Sequence, residues 1–491
     1  MTHDQLIEDA ASRVRSSAPD ERGGCALRDE LAQAHGSNSR FPLLTDAVDE
    51  SSPSLFEENL RRGAKPATAW MCGIEFELFG YDARGHDGGD LARLTPAQVE
   101  RVLTGFAPSS GDLVYEGRTI VEVNAGQMNR LTVEPGGQIE FSGAPQRRLC
   151  DVECEVERYL ARLHEIAEAE KFVFLAAGFD PLCTIEEQRW FPKMRYDVMR
   201  PYLAARGARA WDMMTRTCAV QTNLDYGDES DLAKKFLVGN RLAPIATAIF
   251  ANSPFEAGRP SGYKSTRAAV WLATDADRAG ISPPALRENS FSPAGFVAYA
   301  LEVPMLFAQR DGRYMNAPTG MKFGDFLARG CDTLSPVFGD WADHLTTIFT
   351  DARLKQHLEL RSADCGSLPH ALAFQAYWKG LLYDPEALDA ALRLAPNLDR
   401  ADALALRAAV ARDALAAPRT AGVDVLALAK ESIALAVEGL TRIAPDELSY
   451  LDMLREQVVA DELSPADILL RNWHGSWHAS TPRLLEHLRI A

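Results

Sequence analysis

In Gly73-Ile74-Glu75-Phe76-Glu77-Leu78-Phe79-Gly80, apolar and acidic residues alternate without a break. On a strand, successive side chains point to opposite faces, so Ile74, Phe76 and Leu78 share one face and Glu75 and Glu77 the other. The apolar face must be covered by a core. The two carboxylates, roughly 7 Å apart over two strand rises, repel unless water solvates them or a cation lies between them. Three further segments carry the same constraint. In Leu131–Phe141 a Pro135-Gly136-Gly137 turn separates Glu134 from Gln138 and Glu140, which face away from Ile139 and Phe141. In Thr217–Asp225, Gln221, Asn223 and Asp225 oppose Cys218, Val220, Thr222 and Leu224. In Leu358–Asp364, Glu359 and Arg361 alternate with Leu358 and Leu360. Each segment alone also fits a solvent-facing strand, and a Glu-x-Arg pair is most often a surface ion pair of little energetic weight. Together they fit a sheet face that gathers carboxylates and amide oxygens, donors that suit a hard cation.

The rest of the chain gives these strands a setting. Strands are expected around 72–80, 112–123, 130–142, 172–179 and 215–226, and helices around 95–105, 147–170 and 229–250. The two types do not alternate strictly, so an α+β class is expected over a doubly wound parallel sheet. Residues 1–65 read as a helical, polar N-terminal extension and 66–384 as the core that carries the polar strands. From 385 to 491 the chain reads as a helical part packed on that core, broken at Pro396, Pro418 and Pro445. With 46% hydrophobic and 25% charged residues the chain is of ordinary globular composition, which excludes disorder and collagen. A net charge of −17 repels nucleic acid. No apolar run is long enough to span a bilayer, so no membrane partner is expected. The N-terminus lacks the apolar stretch of a secretory signal, and a cytoplasmic location is expected.

A Walker phosphate loop is absent; Gly262-Tyr263-Lys264-Ser265-Thr266 is only a fragment of one. The eight cysteines, Cys25, Cys72, Cys150, Cys154, Cys183, Cys218, Cys331 and Cys365, contain no CxxC pair, so a zinc ribbon is not expected. Acidic strand faces without a P-loop fit an antiparallel sheet that holds about two or three Mg²⁺ ions, and through them the phosphates of ATP. The same strands would also fit a metal-dependent hydrolase, which needs no ATP and leaves the arginines discussed next without a purpose.

The segments EPGGQIEFSGAP (134–145), MRYDVMRPYL (194–203), WDMMTRTCAVQTNLDY (211–226), PIATAIFANSPF (244–255), YALEVPMLF (299–307), DHLTTIFTDARLKQHLELRSAD (343–364) and YWKGLLYD (377–384) resemble, in this order, the plant and proteobacterial type of glutamate–cysteine ligase. The likeness runs over roughly 70–385, with a weaker echo at HGSW (474–477). It implies a glutamine-synthetase-like core, a curved antiparallel sheet flanked by helices. It also implies ATP-dependent activation of the γ-carboxylate of L-glutamate as an acyl phosphate, attacked by the amine of an acceptor amino acid, by default L-cysteine. Carried over residue by residue, it marks Glu75, Glu77, Glu134, Glu140, Gln221 and Glu359 as metal-ligand candidates. Arg361 becomes the catalytic residue steadying the transferring phosphoryl group. Arg195, Arg267, Met213, Trp271 and Leu306 become substrate-binding candidates. A monomer or homodimer is expected.

Two departures stand out. Leu306 falls where the plant enzymes resemble YALDVPMYF, with a tyrosine near the acceptor pocket, and Tyr314–Met321 carries Ala317-Pro318. A more apolar pocket opens a non-thiol, small apolar or unusual acceptor as the alternative to cysteine. The regulatory cysteine of the plant type falls at Leu372 and its partner at Glu153, beside Cys154, so that disulfide is not expected here.

Overall fold

The alternation in 72–82 becomes the central strand of a ten-stranded antiparallel sheet. A computed structural model describes residues 43–49, 51–83, 91–124, 129–286, 291–332 and 334–491. Two units are distinguished, Met1–Thr45 and Asp46–Ala491, and every element named here lies in the second. The strands are β1 (Cys72–Asp82), β2 (Ala92–Arg93), β3 (Leu113–Glu116), β4 (Thr119–Asn124), β5 (Arg130–Val133), β6 (Ile139–Ser142), β7 (Phe172–Leu175), β8 (Ala219–Leu224), β9 (Ala352–Leu354) and β10 (Leu358–Asp364). Their order is β9-β10-β8-β1-β6-β5-β4-β3, with β2 and β7 pairing the far half of β1.

One face of this sheet is the core. Ile74, Phe76, Leu78, Leu131, Val133, Ile139, Val220, Leu224, Leu358 and Leu360 are all buried. The helices that use this apolar surface include α1 (Leu149–Glu170), whose Tyr159 stacks on Phe141 at 4.5 Å. On the route to the other face lie α2 (Met194–Ala204) and α3 (Thr266–Leu272). Helix α4 (Leu368–Tyr383) packs on β8 and β1 and is buried on every side. An all-round apolar helix must be enclosed. Helix α5 (Arg400–Asp413) packs on α3 and on Ala243–Ile249, and α4 is enclosed by Pro385–Leu394 and α6 (Val425–Ile443). Gly380 of α4 and Gly439 of α6 cross with their backbones touching: a Cβ on Gly439 would lie 2.0 Å from the carbonyl oxygen of Gly380.

The expected α+β class and the expected strands are found, with local differences that have physical causes. The helix expected over 229–250 is two, Glu229–Arg241 and Ala243–Ile249, because Pro244 cannot continue a helix and starts the next one. The strand expected from 215 begins at Ala219, because Ala210–Arg216 is helical. Of the expected N-terminal extension, residues 1–42 lie outside the described residues; within the rest, helix Pro53–Arg61 buries Phe56 against Trp341 at 4.4 Å. The seven cysteines among the described residues are free, Leu372 is buried, and Glu153 accepts a hydrogen bond from Tyr450 at 2.6 Å. Among the described residues no helix is long and apolar enough to cross a membrane.

Candidate active site

The second face of the sheet is polar because the strand registers stack the alternating residues. Glu75 lies opposite Ser142 on one side and Gln221 on the other, Glu77 opposite Glu140, Glu140 opposite Thr132, and Arg353 opposite Glu359. Read across the strand order, charge runs from cations on β9 and β10, through the amides of β8, to carboxylates on β1 and β6. A cavity of about 400 Å³ opens over this face. Glu75, Glu77, Glu134 and Glu140 line it, as do Arg195, Arg267, Arg353, Lys355 and Arg361. Glu134 reaches it from the Pro135–Gly137 turn, which Glu134 closes by accepting from Gly137 N at 2.8 Å.

The amides of β8 join the two charged halves. Gln221 donates to Glu77 at 2.9 Å and accepts from Arg361 at 2.5 Å. Asn223 donates to Glu75 at 2.9 Å, and Ala219 N donates to Glu77 at 2.8 Å. Burial, followed by repulsion from Glu134, pushes the Glu77 carboxyl up to about 7. Burial and the charges of Glu134, Glu75 and Glu77 push Glu140 well above the usual carboxylate range, against the pull of its 2.5 Å bond from Thr132. Burial and mutual repulsion thus outweigh the pull of Arg267 and Arg361 at Glu77. At the other end, burial alone would raise Glu359, but Arg353, Lys355 and Arg361 together hold it well below the usual range. Arg353 contacts it at 2.5 and 3.0 Å and Lys355 at 2.8 Å, and Arg361 pairs with it as well. Arg267, on α3, donates to the carbonyl of Arg361 at 2.8 Å.

The remaining wall is apolar. Met199, Met213, Met214, Trp271 and Phe349 line it. Arg195 lies over Phe307 at 5.5 Å and donates to Thr346 at 3.3 Å, while its Nε is buried with no hydrogen-bond partner. A buried donor left open in a cavity marks a place for an acceptor.

Residues 71–487 match the model of glutamate–cysteine ligase family 2. The chain belongs to this family. The chloroplastic glutamate–cysteine ligase of Arabidopsis thaliana is 38% identical over 454 residues, 91% of this chain and 85% of that one. The Brassica juncea protein of the same name is 37% identical over 454 residues, 91% of this chain and 86% of that one. Among solved structures, the glutamate–cysteine ligase of Francisella tularensis in complex with AMP aligns over 85% of this chain and 87% of that one, with a TM-score of 0.51 at 13% identity. At that identity the likeness is one of fold, and the expected glutamine-synthetase-like architecture is the one found.

In this family member, most of the residues marked from sequence come together. Glu75, Glu77, Glu134, Glu140, Gln221, Arg195, Arg267, Arg361, Met213 and Trp271 all line the one cavity. Two do not. Glu359 is fully buried behind the lining and pairs with Arg353, Lys355 and Arg361, so it anchors these cations from below. Leu306 is 2% exposed and belongs to the apolar cluster of Met199, Met213 and Phe307, with Trp271 packed against it; it shapes the wall from behind. Arg353 and Lys355 were not singled out from sequence. Their signal was present in Arg353-Leu354-Lys355, an alternation complementary to Glu359-Leu360-Arg361 one tight turn later.

The donor set fits a divalent cation in part. Four carboxylates on one wall, two of them pushed up by burial and by their neighbours' charge, are hard oxygen donors. Among the described residues no group of three acids or imidazoles forms a ready protein-only cage. The wall is suited to a cation whose remaining ligands come from a bound phosphate chain and water, the usual habit of Mg²⁺.

Proposed function

We propose that this chain is an ATP-dependent γ-glutamyl ligase that joins the γ-carboxylate of L-glutamate to the amine of an acceptor amino acid, with L-cysteine as the acceptor. The observation that carries the reading is the cavity's division into an acidic wall, Glu75, Glu77, Glu134 and Glu140, and a cationic one, Arg267, Arg353, Lys355 and Arg361. A carboxylate is a poor acylating agent, and transfer of a phosphoryl group from ATP supplies its leaving group. That transfer crowds a carboxylate against a triphosphate, and only positive charge on the surrounding wall makes the approach affordable. Bound Mg²⁺, held by Glu75, Glu77, Glu134 and Glu140 with Gln221 beside them, would neutralise the phosphate chain and align it.

The chain's own residues carry the remaining tasks. Arg361, tied to Gln221 and Glu359, holds a guanidinium fixed where the transferring group's charge spreads. Arg267 lies next to it, and Arg353 and Lys355 extend the cationic strip. The open Nε of Arg195 and its planar guanidinium suit capture of the α-carboxylate of an amino acid. Met199, Met213, Met214, Trp271 and Phe349 exclude water, which protects an acyl phosphate from hydrolysis until an amine arrives. This guanidinium-rich wall separates the ligase from the hydrolase alternative, whose chemistry needs no phosphate cradle.

The test is an incubation with Mg²⁺, ATP and L-glutamate, with each of a panel of amino acids added in turn, measuring ADP and γ-glutamyl product. Cysteine is expected to drive the fastest ADP release. A small apolar amino acid outrunning cysteine would assign the pocket to a non-thiol acceptor. Absence of glutamate-dependent ADP release with every amine would overturn the ligase reading.

A further inference from the structure

The two arginines that line the phosphate side of the cavity share one support, and it comes from the C-terminal helices. Strand β10 breaks register with β8 between Leu360 and Ala363, so Arg361 and Ser362 sit in a bulge. A bulge re-aims a side chain but leaves its own backbone without a ladder partner. The bulge interrupts the pairing with β8 only; on the β9 side the N–H of Arg361 donates to the carbonyl of Asp351 at 2.8 Å, the next rung beyond Ala352–Leu360. Asp351 is fixed in turn: its N–H donates to Gly280 O at 3.0 Å, and Arg407 of α5 grips both of its carboxylate oxygens, Nη2 to Oδ1 at 2.8 Å and Nη1 to Oδ2. Gly280, at φ +77°, is what lets the guanidinium come so near, since a Cβ there would lie 3.0 Å from Arg407 Nη2.

The same helix holds the second arginine. Ala411 O, in the last turn of α5, accepts from Lys264 N at 3.1 Å and Ser265 N at 3.0 Å, at the start of α3. Helix α3 carries Arg267, which closes the ring by donating to Arg361 O at 2.8 Å. Inside the ring lies a small void of about 30 Å³, lined by Arg267, Asp351, Arg361, Ser362 and Arg407. The hydroxyl of Ser362 is buried against it without a partner. The backbone of Arg361 is thus held at this void by two hydrogen bonds, its N–H to Asp351 O and its carbonyl from Arg267.

We propose that Arg407 is a positioning residue: through Asp351 it locks the bulge that aims Arg361, and it thereby couples the C-terminal helical part to the phosphoryl-transfer site. The functional part of this proposal rests on the ligase reading; the mechanical part does not.

The experiment compares wild type with Arg407→Leu, Arg407→Lys, Gly280→Ala and, as a control, Arg442→Leu. Arg442 forms a similar two-point pair with Asp384, at 2.7 and 3.0 Å, remote in sequence from the ring. Two quantities are read: steady-state kinetics on folded protein, and amide hydrogen exchange of the peptide spanning 358–364. Arg407→Leu is expected to lower kcat about tenfold to a hundredfold, the scale of an ångström-level misplacement. The glutamate KM should stay within about twofold, since the loss falls on the transition state. The Arg361 amide should exchange faster. Arg407→Lys should restore part of kcat, Gly280→Ala should reproduce the defect in milder form, and Arg442→Leu should change thermal stability alone. Retention of both kcat and exchange protection in Arg407→Leu overturns the proposal, as does an equal kinetic defect in Arg442→Leu. If Arg407→Leu does not fold, Arg407→Lys and Gly280→Ala decide by the same criteria. If wild type consumes no ATP with any amine, the ligase reading fails separately, and the exchange data still accept or reject the Arg407–Arg361 linkage.

Discussion

Glu359 shows how one side chain's role is set by what a turn brings to it. The alternation in Leu358–Asp364 put Glu359 on one face with Arg361, and the family resemblance marked it as a metal-ligand candidate. The β9–β10 hairpin places Arg353 directly opposite and Lys355 within 2.8 Å, so the carboxylate is spent on three cations before any ligand arrives. Glu359→Gln keeps the shape and removes the charge that Arg353 and Arg361 share. Removing one partner from a buried ion cluster costs about 3–5 kcal/mol. The variant should therefore unfold at lower urea concentration, and any folded protein should lose turnover because Arg361 is no longer anchored. Arg361→Ala should lose turnover with a far smaller stability cost, because Glu359 keeps two cations. Equal stability of Glu359→Gln and wild type in urea titrations would reject the anchoring role. The acidic residues of β1 and β6 were legible because alternation fixes a face. Long-range pairing was not, because strand order and register are set by contacts across more than a hundred residues.

At the level of elements, the C-terminal helices were legible as amphipathic, but the polar joint that seats them was not. Lys379 lies on α4, within YWKGLLYD. In the structure α4 is enclosed, and Lys379 pairs with Glu447 at 2.6 and 2.8 Å while donating to Arg147 O at 3.0 Å. Glu447, from the turn Pro445–Leu451, also accepts from Leu149 N at 2.9 Å. Arg148 offers α1 no side-chain cap, so a carboxylate supplied from about three hundred residues away takes that role at the positive end of the helix. Glu447→Ala strands a buried ammonium and opens the N-terminus of α1, and is expected to cost about 3–5 kcal/mol. Adding Lys379→Met to it should recover much of that loss, because a buried pair replaced by apolar groups is often neutral. Denaturant unfolding of the single and double variants measures this; a double variant no more stable than Glu447→Ala would show that packing, not the ion pair, dominates the joint.

For the whole molecule, two sets of buried groups pull its pH dependence in opposite directions. Burial depresses His344 to about 3 and His357 and His370 to about 4, from an ordinary value of 6.5. Unfolding lets these imidazoles bind protons, so between about 4 and 6.5 the unfolded state holds more protons and stability is lost as pH falls. Glu77, raised to about 7 from 4.5, works the other way: the folded state holds the extra proton, so its contribution is present at low pH and is lost as pH rises toward 7, on the order of 3 kcal/mol in all. Glu140, shifted in the same direction, extends that loss to higher pH. Well below 6.5 the three histidines outweigh the carboxylates; above it the carboxylates lower stability until Lys235, which burial depresses to about 8, works against them at higher pH. Magnesium-free protein should therefore be most stable between about pH 6 and 7 and lose stability on both sides, as read from its melting temperature across pH 5 to 7.5. Glu77→Gln should steepen the acid limb, because its opposing contribution between 4.5 and about 7 is gone, and soften the onset of the alkaline one. Adding Mg²⁺ with a non-hydrolysable ATP analogue should flatten it too, since a cation on the acidic wall removes the reason for Glu77 and Glu140 to hold protons. A melting temperature that climbs steadily from pH 6.5 to 7.5 without metal would mean that the carboxylates of this wall do not share an unneutralised site.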